Sequence, residues 1–201
     1  MNERSLIPFA RDISLKAHGE AMVSTAAGFR RPQILHLQEV ADLVWISGGT
    51  NDEIAAAWLH DILEDTPITK NDIVEKFGNN IAEIVQGLTD LEEFTSLPLI
   101  ERKQKQAARL KNEGQSVRRI KISDQISNIR ALMDPTNDMT IAQWEDYLEG
   151  SRLIAHECRG ISPLLDALFL KTYEEGREIL KKRQEIFPSS ESLRETLTAL
   201  S

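Results

Sequence analysis

Apolar residues recur at intervals of three and four positions along almost the whole chain, and no stretch shows the strict alternation typical of a strand. Gly48-Gly49, Thr66-Pro67 and Gly78 separate the apolar segments with residues that favour helix ends. The pattern predicts helices over residues 37–47, 52–64, 70–77, 80–88, 99–112, 116–133, 140–158 and 163–185. The predicted fold class is therefore all-α, and a functional site must be built from side chains on facing helices.

The length of 201 residues, without internal repeats or a low-complexity linker, indicates one main domain. We predict that this domain covers residues 1–187. Pro188 breaks the preceding helix, and Ser192 with Glu195 forms a capping pattern. Residues 188–201 are therefore predicted to form a short C-terminal helical tail.

Composition and charge narrow the class of protein. Hydrophobic residues make up 41% of the chain, as in a globular protein, and the apolar stretches are shorter than the roughly 18 residues of a membrane span. The formal net charge of −8 argues against broad binding to nucleic acid or to an anionic membrane. A charged N-terminus in place of a signal peptide, and the single cysteine Cys158, predict a cytoplasmic protein. The sequence does not indicate the oligomeric state.

Three acids crowd the end of the predicted helix 52–64. Asp61 and Asp65 are like charges at i and i+4, and acids in a last turn also face the negative end of the helix dipole; each effect is unfavourable by a few tenths to about 1 kcal/mol. A nearby cation would make both electrostatic effects favourable. His60 beside Asp61 offers a nitrogen and oxygen donor set that suits Mn, Fe, Co, Zn or Mg. The alternative is a solvated acidic helix end with a histidine in the core.

Four segments in order resemble one known family. Residues 55–69, AAAWLHDILEDTPIT, resemble the HD segment of the RelA/SpoT-type alarmone hydrolases, including their small stand-alone members. The other three segments are PQILHLQEVA at 32–41, ERK at 101–103 and KISDQISNIR at 121–130. Tyr147 is similar to a late tyrosine of that family. The resemblance implies an HD-domain helical bundle with about eight to ten helices.

The same resemblance implies the site. It implies one divalent metal ion, which we expect to be Mn2+, with the ligands His36, His60, Asp61 and Asp124. It implies that Glu64 and Asp65 orient or deprotonate the attacking water, and that Asn128 and Tyr147 contact the nucleotide. Three alternatives stay open: His36 can be a polar residue at the N-terminus of its helix, Asp124 can pair with Lys121 and do nothing else, and Asn128 can simply face water.

The segments that would hold the substrate depart from the family pattern. The family carries an Arg-Lys pair in the loop before the His36 segment, whereas this chain has Arg30-Arg31 closer to His36. These arginines either replace the pair as phosphate ligands, for which guanidinium groups are suited, or they are surface charges. Three further positions, where the family has Tyr, Pro and often Lys, hold Gln33, Leu37 and Leu99.

The function implied is that of a metal-dependent phosphohydrolase acting on a small phosphorylated nucleotide. The resemblance points to (p)ppGpp, an alarmone of the stringent response, from which a 3′-pyrophosphohydrolase releases GDP or GTP and pyrophosphate. One alternative is the same metal chemistry on another phosphorylated nucleotide or small phosphoester, which the altered substrate-side residues favour. The other is a regulator that binds a nucleotide without turnover, against which the retained Glu64 and Asp65 argue.

Overall fold

The computed structural model describes residues 3–19, 22–24, 30–135 and 137–186. Within these ranges it has ten α-helices, one antiparallel pair of short strands and one 3-10 turn. The helices are α1 (Glu3–His18), α2 (Gln33–Ile46), α3 (Asn51–Leu59), α4 (Ile62–Asp65), α5 (Lys70–Phe77), α6 (Asn79–Leu88), α7 (Leu99–Leu110), α8 (Gln115–Leu132), α9 (Ile141–Cys158) and α10 (Pro163–Ile186). The strands are β1 (Met22–Ser24) and β2 (Arg30–Pro32), and the 3-10 turn covers Glu92–Phe94. The all-α class with eight to ten helices is confirmed.

Helix α8 is the centre of the bundle. Its Ile120, Ile126 and Ile129 are fully buried, and the helix packs against α2, α6, α9 and α10. Removing such a side chain from a core typically costs about 2–5 kcal/mol, so the helix is held firmly on several sides. This matters for the site because Asp124 and Ser127 lie on α8 and therefore project from a rigid element.

The predicted single helix over 52–64 is wrong, because the chain breaks at His60-Asp61. Helix α3 ends at Leu59 and the single turn α4 begins at Ile62. The physical reason is local: the His60 ring nitrogen Nδ1 lies 2.8 Å from the carbonyl oxygen of Ala57, and a histidine near a helix end can take such a carbonyl from the backbone. Helix α3 begins at Asn51, one residue before the predicted start, and the Thr50 side chain caps it.

Helix α1, the two strands and the 3-10 turn were not predicted. The apolar pattern assigned no range to α1, whose Ser14 hydroxyl donates a hydrogen bond to the carbonyl of Trp58 and so joins α1 to α3. It also predicted no strand, whereas Met22 of β1 pairs with Pro32 of β2. Strands of three residues are too short to display an alternating pattern.

The predicted tail helix lies outside the described residues, which end at Ile186. Among the described residues, no helix combines the length and the apolar character that crossing a membrane requires.

Candidate metal centre

The predicted ligands come from four parts of the chain, one of them helix α8, that meet at one place. His36 lies in the first turns of α2, His60 caps the end of α3, Asp61 precedes α4, and Asp124 lies in the middle of α8. His36, His60 and Asp124 are all at most 5% exposed. The break between α3 and α4 therefore places His60 and Asp61 at the meeting point of the helices.

Three of these side chains form a tight cluster of donor atoms. The Nε2 atoms of His36 and His60 lie 3.1 Å apart. The Oδ1 atom of Asp124 lies 3.4 Å from the Nε2 of His36 and 4.0 Å from the Nε2 of His60. These ligand atoms all lie within 4.8 Å of one another, close enough to hold one ion.

Asp61 lies at the open side of this cluster. Its Oδ1 is 3.2 Å from the Nε2 of His60, and its Oδ2 is 3.6 Å from the Nε2 of His36. Its side chain is 26% exposed, in contrast to the three buried ligands. The Nε2 of Gln33 donates a hydrogen bond of 2.6 Å to Oδ2, so one of the two Asp61 oxygens already accepts a hydrogen bond from a protein side chain.

Hydrogen bonds on the far side of each ring determine which nitrogen carries the proton. The Nδ1 of His60 faces the carbonyl of Ala57, which can only accept. The Nδ1 of His36 lies 3.0 Å from the Ser127 hydroxyl, and that hydroxyl donates its proton to the Glu39 carboxylate at 2.7 Å. Both rings therefore carry the proton on Nδ1 and present a lone pair at Nε2.

This arrangement fits a cation. Two lone pairs that face each other at 3.1 Å cannot share a hydrogen bond, and two carboxylates lie beside them. A divalent ion bound by imidazole nitrogens and carboxylate oxygens satisfies all of these donors. Proteins that bind metals through histidine usually hold the other ring nitrogen by a hydrogen bond in this way.

Asp124 is held by groups on both of its oxygens. Its Oδ2 lies 3.2 Å from the Lys121 ammonium and accepts a 3.0 Å hydrogen bond from the Nε2 of Gln125. Its Oδ1 faces the histidines and also accepts a hydrogen bond from the Nδ2 of Asn128. Burial alone would raise the pKa of Asp124, but nearby positive charge, chiefly that of Lys121, outweighs it and holds the pKa well below its usual range.

The contacts of Asp124 and Asn128 bear on the alternatives that the sequence left open for them. Asp124 pairs with Lys121 through one oxygen and faces the histidines with the other, so the ion pair and the ligand role are compatible. Asn128 contacts Asp124 rather than facing only water. A contact of Asn128 with the nucleotide stays a prediction.

Glu64 and Asp65 lie on α4, one turn beyond the His60-Asp61 pair. An oxygen of Glu64 accepts a 2.7 Å hydrogen bond from the backbone N–H of Asp90, which fixes the direction of the carboxylate. Loss of hydration, followed by the charge of Asp61, raises the pKa of Glu64 to about 7 and that of Asp65 to about 6. Both residues are exposed over more than a third of their surface, so water still reaches them although their carboxyl groups have lost part of their hydration. Carboxyl groups with pKa values near neutrality suit proton transfer.

The remaining residues that were predicted to bind substrate are Tyr147, Arg30 and Arg31. Tyr147 is 8% exposed, and its ring lies 4.0 Å from the ammonium of Lys103. The side chains of Arg30 and Arg31 lie outside the described part of the structure. Their role toward phosphate stays a prediction.

Sequence reasoning missed the residues that support the ligands. Ser127 and Glu39 hold His36, and the Glu39 carboxylate is paired with Arg130 at 2.9 Å. Gln125 holds Asp124. Ser127 and Glu39 are 88 positions apart, so no local pattern links them. The only available signal was that buried α8 carries several polar residues in a row.

Comparison with known proteins identifies the family to which the chain belongs. A family model described as the HD domain matches residues 10–146. The guanosine-3′,5′-bis(diphosphate) 3′-pyrophosphohydrolase MESH1 of Danio rerio is 33% identical over 147 residues, which cover 70% of this chain and 80% of that protein. The Xenopus tropicalis protein of the same name is 30% identical over 140 residues, which cover 68% of this chain and 76% of that protein.

A solved structure supports the fold. It is described as a metazoan ortholog of SpoT that hydrolyzes ppGpp, and it matches with a TM-score of 0.75 over 85% of this chain and 95% of that chain. The sequence identity is 21%, so this likeness supports the architecture alone.

Proposed function

The chain belongs to the HD-domain family together with the MESH1-type pyrophosphohydrolases, and on that premise we propose that it hydrolyses (p)ppGpp, removing the 3′-pyrophosphate and leaving GDP or GTP. The observation that carries the proposal is the pair of Nε2 atoms of His36 and His60, 3.1 Å apart, with carboxylate oxygens beside them. Such a cluster is arranged for a cation, and a phosphohydrolase of this kind requires one.

We propose that one Mn2+ ion is held by His36, His60, Asp61 and Asp124. The buried donor atoms of His36, His60 and Asp124 support this set, and the two oxygens of Asp61 extend it toward solvent. When bound, the ion supplies positive charge that polarises a phosphoryl oxygen and favours deprotonation of the attacking water. Mn2+ is the ion expected from the family resemblance.

Glu64 is the residue best suited to take a proton from that water. Hydrolysis forms a bond from the water oxygen to the phosphorus on the ribose 3′ oxygen and breaks the bond between that phosphorus and the 3′ oxygen. One water proton must leave during the attack, and the ribose 3′ oxygen must gain one. The Glu64 carboxylate, held by the backbone N–H of Asp90, can accept the first proton and return it. Asp65 can orient the water beside it.

One observation favours a second candidate function. Gln33 stands where the resembled family has tyrosine, and its side chain donates a hydrogen bond to Asp61 at 2.6 Å. This position beside the metal centre therefore departs from the family pattern. The same hydrolytic chemistry on another phosphorylated nucleotide would accommodate this difference.

A substrate panel separates the two candidates. We would load the protein with Mn2+ and measure kcat/KM for ppGpp, pppGpp, NADPH and nucleoside mono- and triphosphates. We expect the highest values for ppGpp and pppGpp, and the loss of activity in Glu64→Gln. Glu93→Gln, which changes an exposed acid of the 3-10 turn, is the matched control and should be fully active. The highest value for another nucleotide would support the second candidate, and no hydrolysis by the Mn2+-bound protein would contradict both.

A further inference from the structure

A lysine is buried behind the metal centre with no part in the chemistry described so far. Lys103 of α7 is 4% exposed, and its ammonium donates to the Oε1 of Gln125 at 2.8 Å and to the hydroxyl of Ser151 at 3.3 Å. The ammonium also lies 4.0 Å from the centre of the Tyr147 ring, as in a cation–π contact. No carboxylate forms an ion pair with it among the described residues.

This burial is unfavourable for folding. Burial lowers the pKa of Lys103 to about 7, even though the charge of Asp124 works in the opposite direction. Replacing a buried charged group by an apolar side chain of similar volume is often neutral or stabilising. Packing alone therefore gives no reason for a lysine at this position.

The neighbouring helix is adapted to the lysine. Gly150 of α9 lies against the Lys103 stem, and a Cβ atom at Gly150 would lie 2.2 Å from Cδ of Lys103. Any larger residue at Gly150 would displace the stem. The packing against Gly150 therefore restricts the course of the Lys103 side chain toward Gln125.

The contact with Gln125 determines the orientation of its amide. In its protonated form the Lys103 ammonium can only donate, so Oε1 of Gln125 faces Lys103 and Nε2 points the other way. Nε2 then donates to the Oδ2 of Asp124 at 3.0 Å. The Ser151 hydroxyl, 3.0 Å from Oε1, cannot replace Lys103 in this respect, because a hydroxyl can donate or accept.

We propose that Lys103 is a positioning residue for the metal ligand Asp124, acting through the amide of Gln125. Without Lys103 the amide can turn over, with its Nε2 toward Ser151 and its Oε1 against Oδ2 of Asp124. Two oxygen acceptors would then repel each other, and Asp124 would lose the orientation in which Oδ1 faces the histidines. The inference rests on the metal site of the proposed function but not on its substrate.

The test is the affinity for Mn2+ without substrate, measured by competition with a chelator. Loss of a residue that supports a metal ligand typically lowers metal affinity about 10- to 100-fold, and we expect this for both Lys103→Met and Gln125→Leu. The double variant should bind Mn2+ no more weakly than Gln125→Leu alone, because Lys103 acts through Gln125. The metal-free Lys103→Met protein should unfold at the wild-type temperature or above it. Lys105→Met, an exposed lysine of the same helix, is the control and should bind normally.

Several outcomes would overturn the inference. Wild-type affinity in Lys103→Met would do so, as would fully additive losses in the double variant. If Lys103→Met does not fold, Gly150→Ala displaces the stem without removing the charge, and unchanged affinity in that variant would equally contradict the proposal. A protein that binds Mn2+ as expected but does not hydrolyse (p)ppGpp would contradict the proposed function and leave this inference standing.

Discussion

Replacing Ser127 by alanine should weaken metal binding by changing the proton position on His36. The Ser127 hydroxyl accepts a hydrogen bond from the Nδ1–H of His36 at 3.0 Å and donates one to the Glu39 carboxylate at 2.7 Å. In Ser127→Ala the Nδ1–H loses this acceptor inside the protein, which costs about 1–3 kcal/mol. The ring can avoid this cost by moving the proton to Nε2, the atom that must bind the ion. The account therefore expects Mn2+ affinity to fall by about 10- to 100-fold, or about 1.4 to 2.7 kcal/mol.

The assay is chelator competition for Mn2+, with Ser123→Ala as the matched control. Ser123 lies one turn earlier on α8, is equally buried, and its hydroxyl donates to the carbonyl of Arg119 without contacting a ligand. Both variants lose one buried hydroxyl, so their losses in unfolding free energy should be similar. Only Ser127→Ala should lose metal affinity. Equal affinities in the two variants would refute the role assigned to Ser127.

Three further predictions follow from the site and the core. Glu64→Gln and Asp65→Asn should lower turnover by roughly 10²–10⁴ while Mn2+ remains bound; loss of the ion would instead place these residues among the ligands. Burial lowers the pKa of Lys103 from 10.5 to about 7, so between these pH values the unfolded chain binds more protons than the folded one. The free energy of unfolding of the metal-free protein should therefore rise from pH 7 to about 10, relative to that of Lys103→Met. Parallel stability curves for the two proteins would contradict this. Ile126→Ala should lower the free energy of unfolding in urea by about 2–5 kcal/mol, and a change below about 1 kcal/mol would contradict the central position of α8.

The side chains that meet at the metal centre were identifiable from the sequence because their segments resemble a known pattern in order. The structure brings His36, His60 and Asp124 together and places Asp61 beside them. Their assignment as ligands stays a prediction until an ion is measured. The helical periodicity likewise predicted most helices, because a buried stripe is a local property of the chain.

The supporting residues depend on packing between distant helices and were therefore not predictable from local patterns. Ser127 reaches Glu39 across 88 positions, and Lys103 reaches Gln125 across 22. Lys103 belongs to the ERK segment at 101–103, but that pattern assigns it no role, and only the packing of α7 on α9 shows that it is buried. The break at His60 was missed for a related reason, since helix propensity does not include an imidazole that takes the Ala57 carbonyl.

Hydrolysis of ppGpp by the metal-loaded protein tests the central claim most directly. We would label the 3′-pyrophosphate, add one equivalent of Mn2+, and follow the release of labelled pyrophosphate together with GDP. The account predicts stoichiometric GDP and pyrophosphate from the wild-type protein, and neither product nor bound Mn2+ in His60→Ala. Release of pyrophosphate by His60→Ala at the wild-type rate, or no release by a wild-type protein with Mn2+ bound, would contradict it.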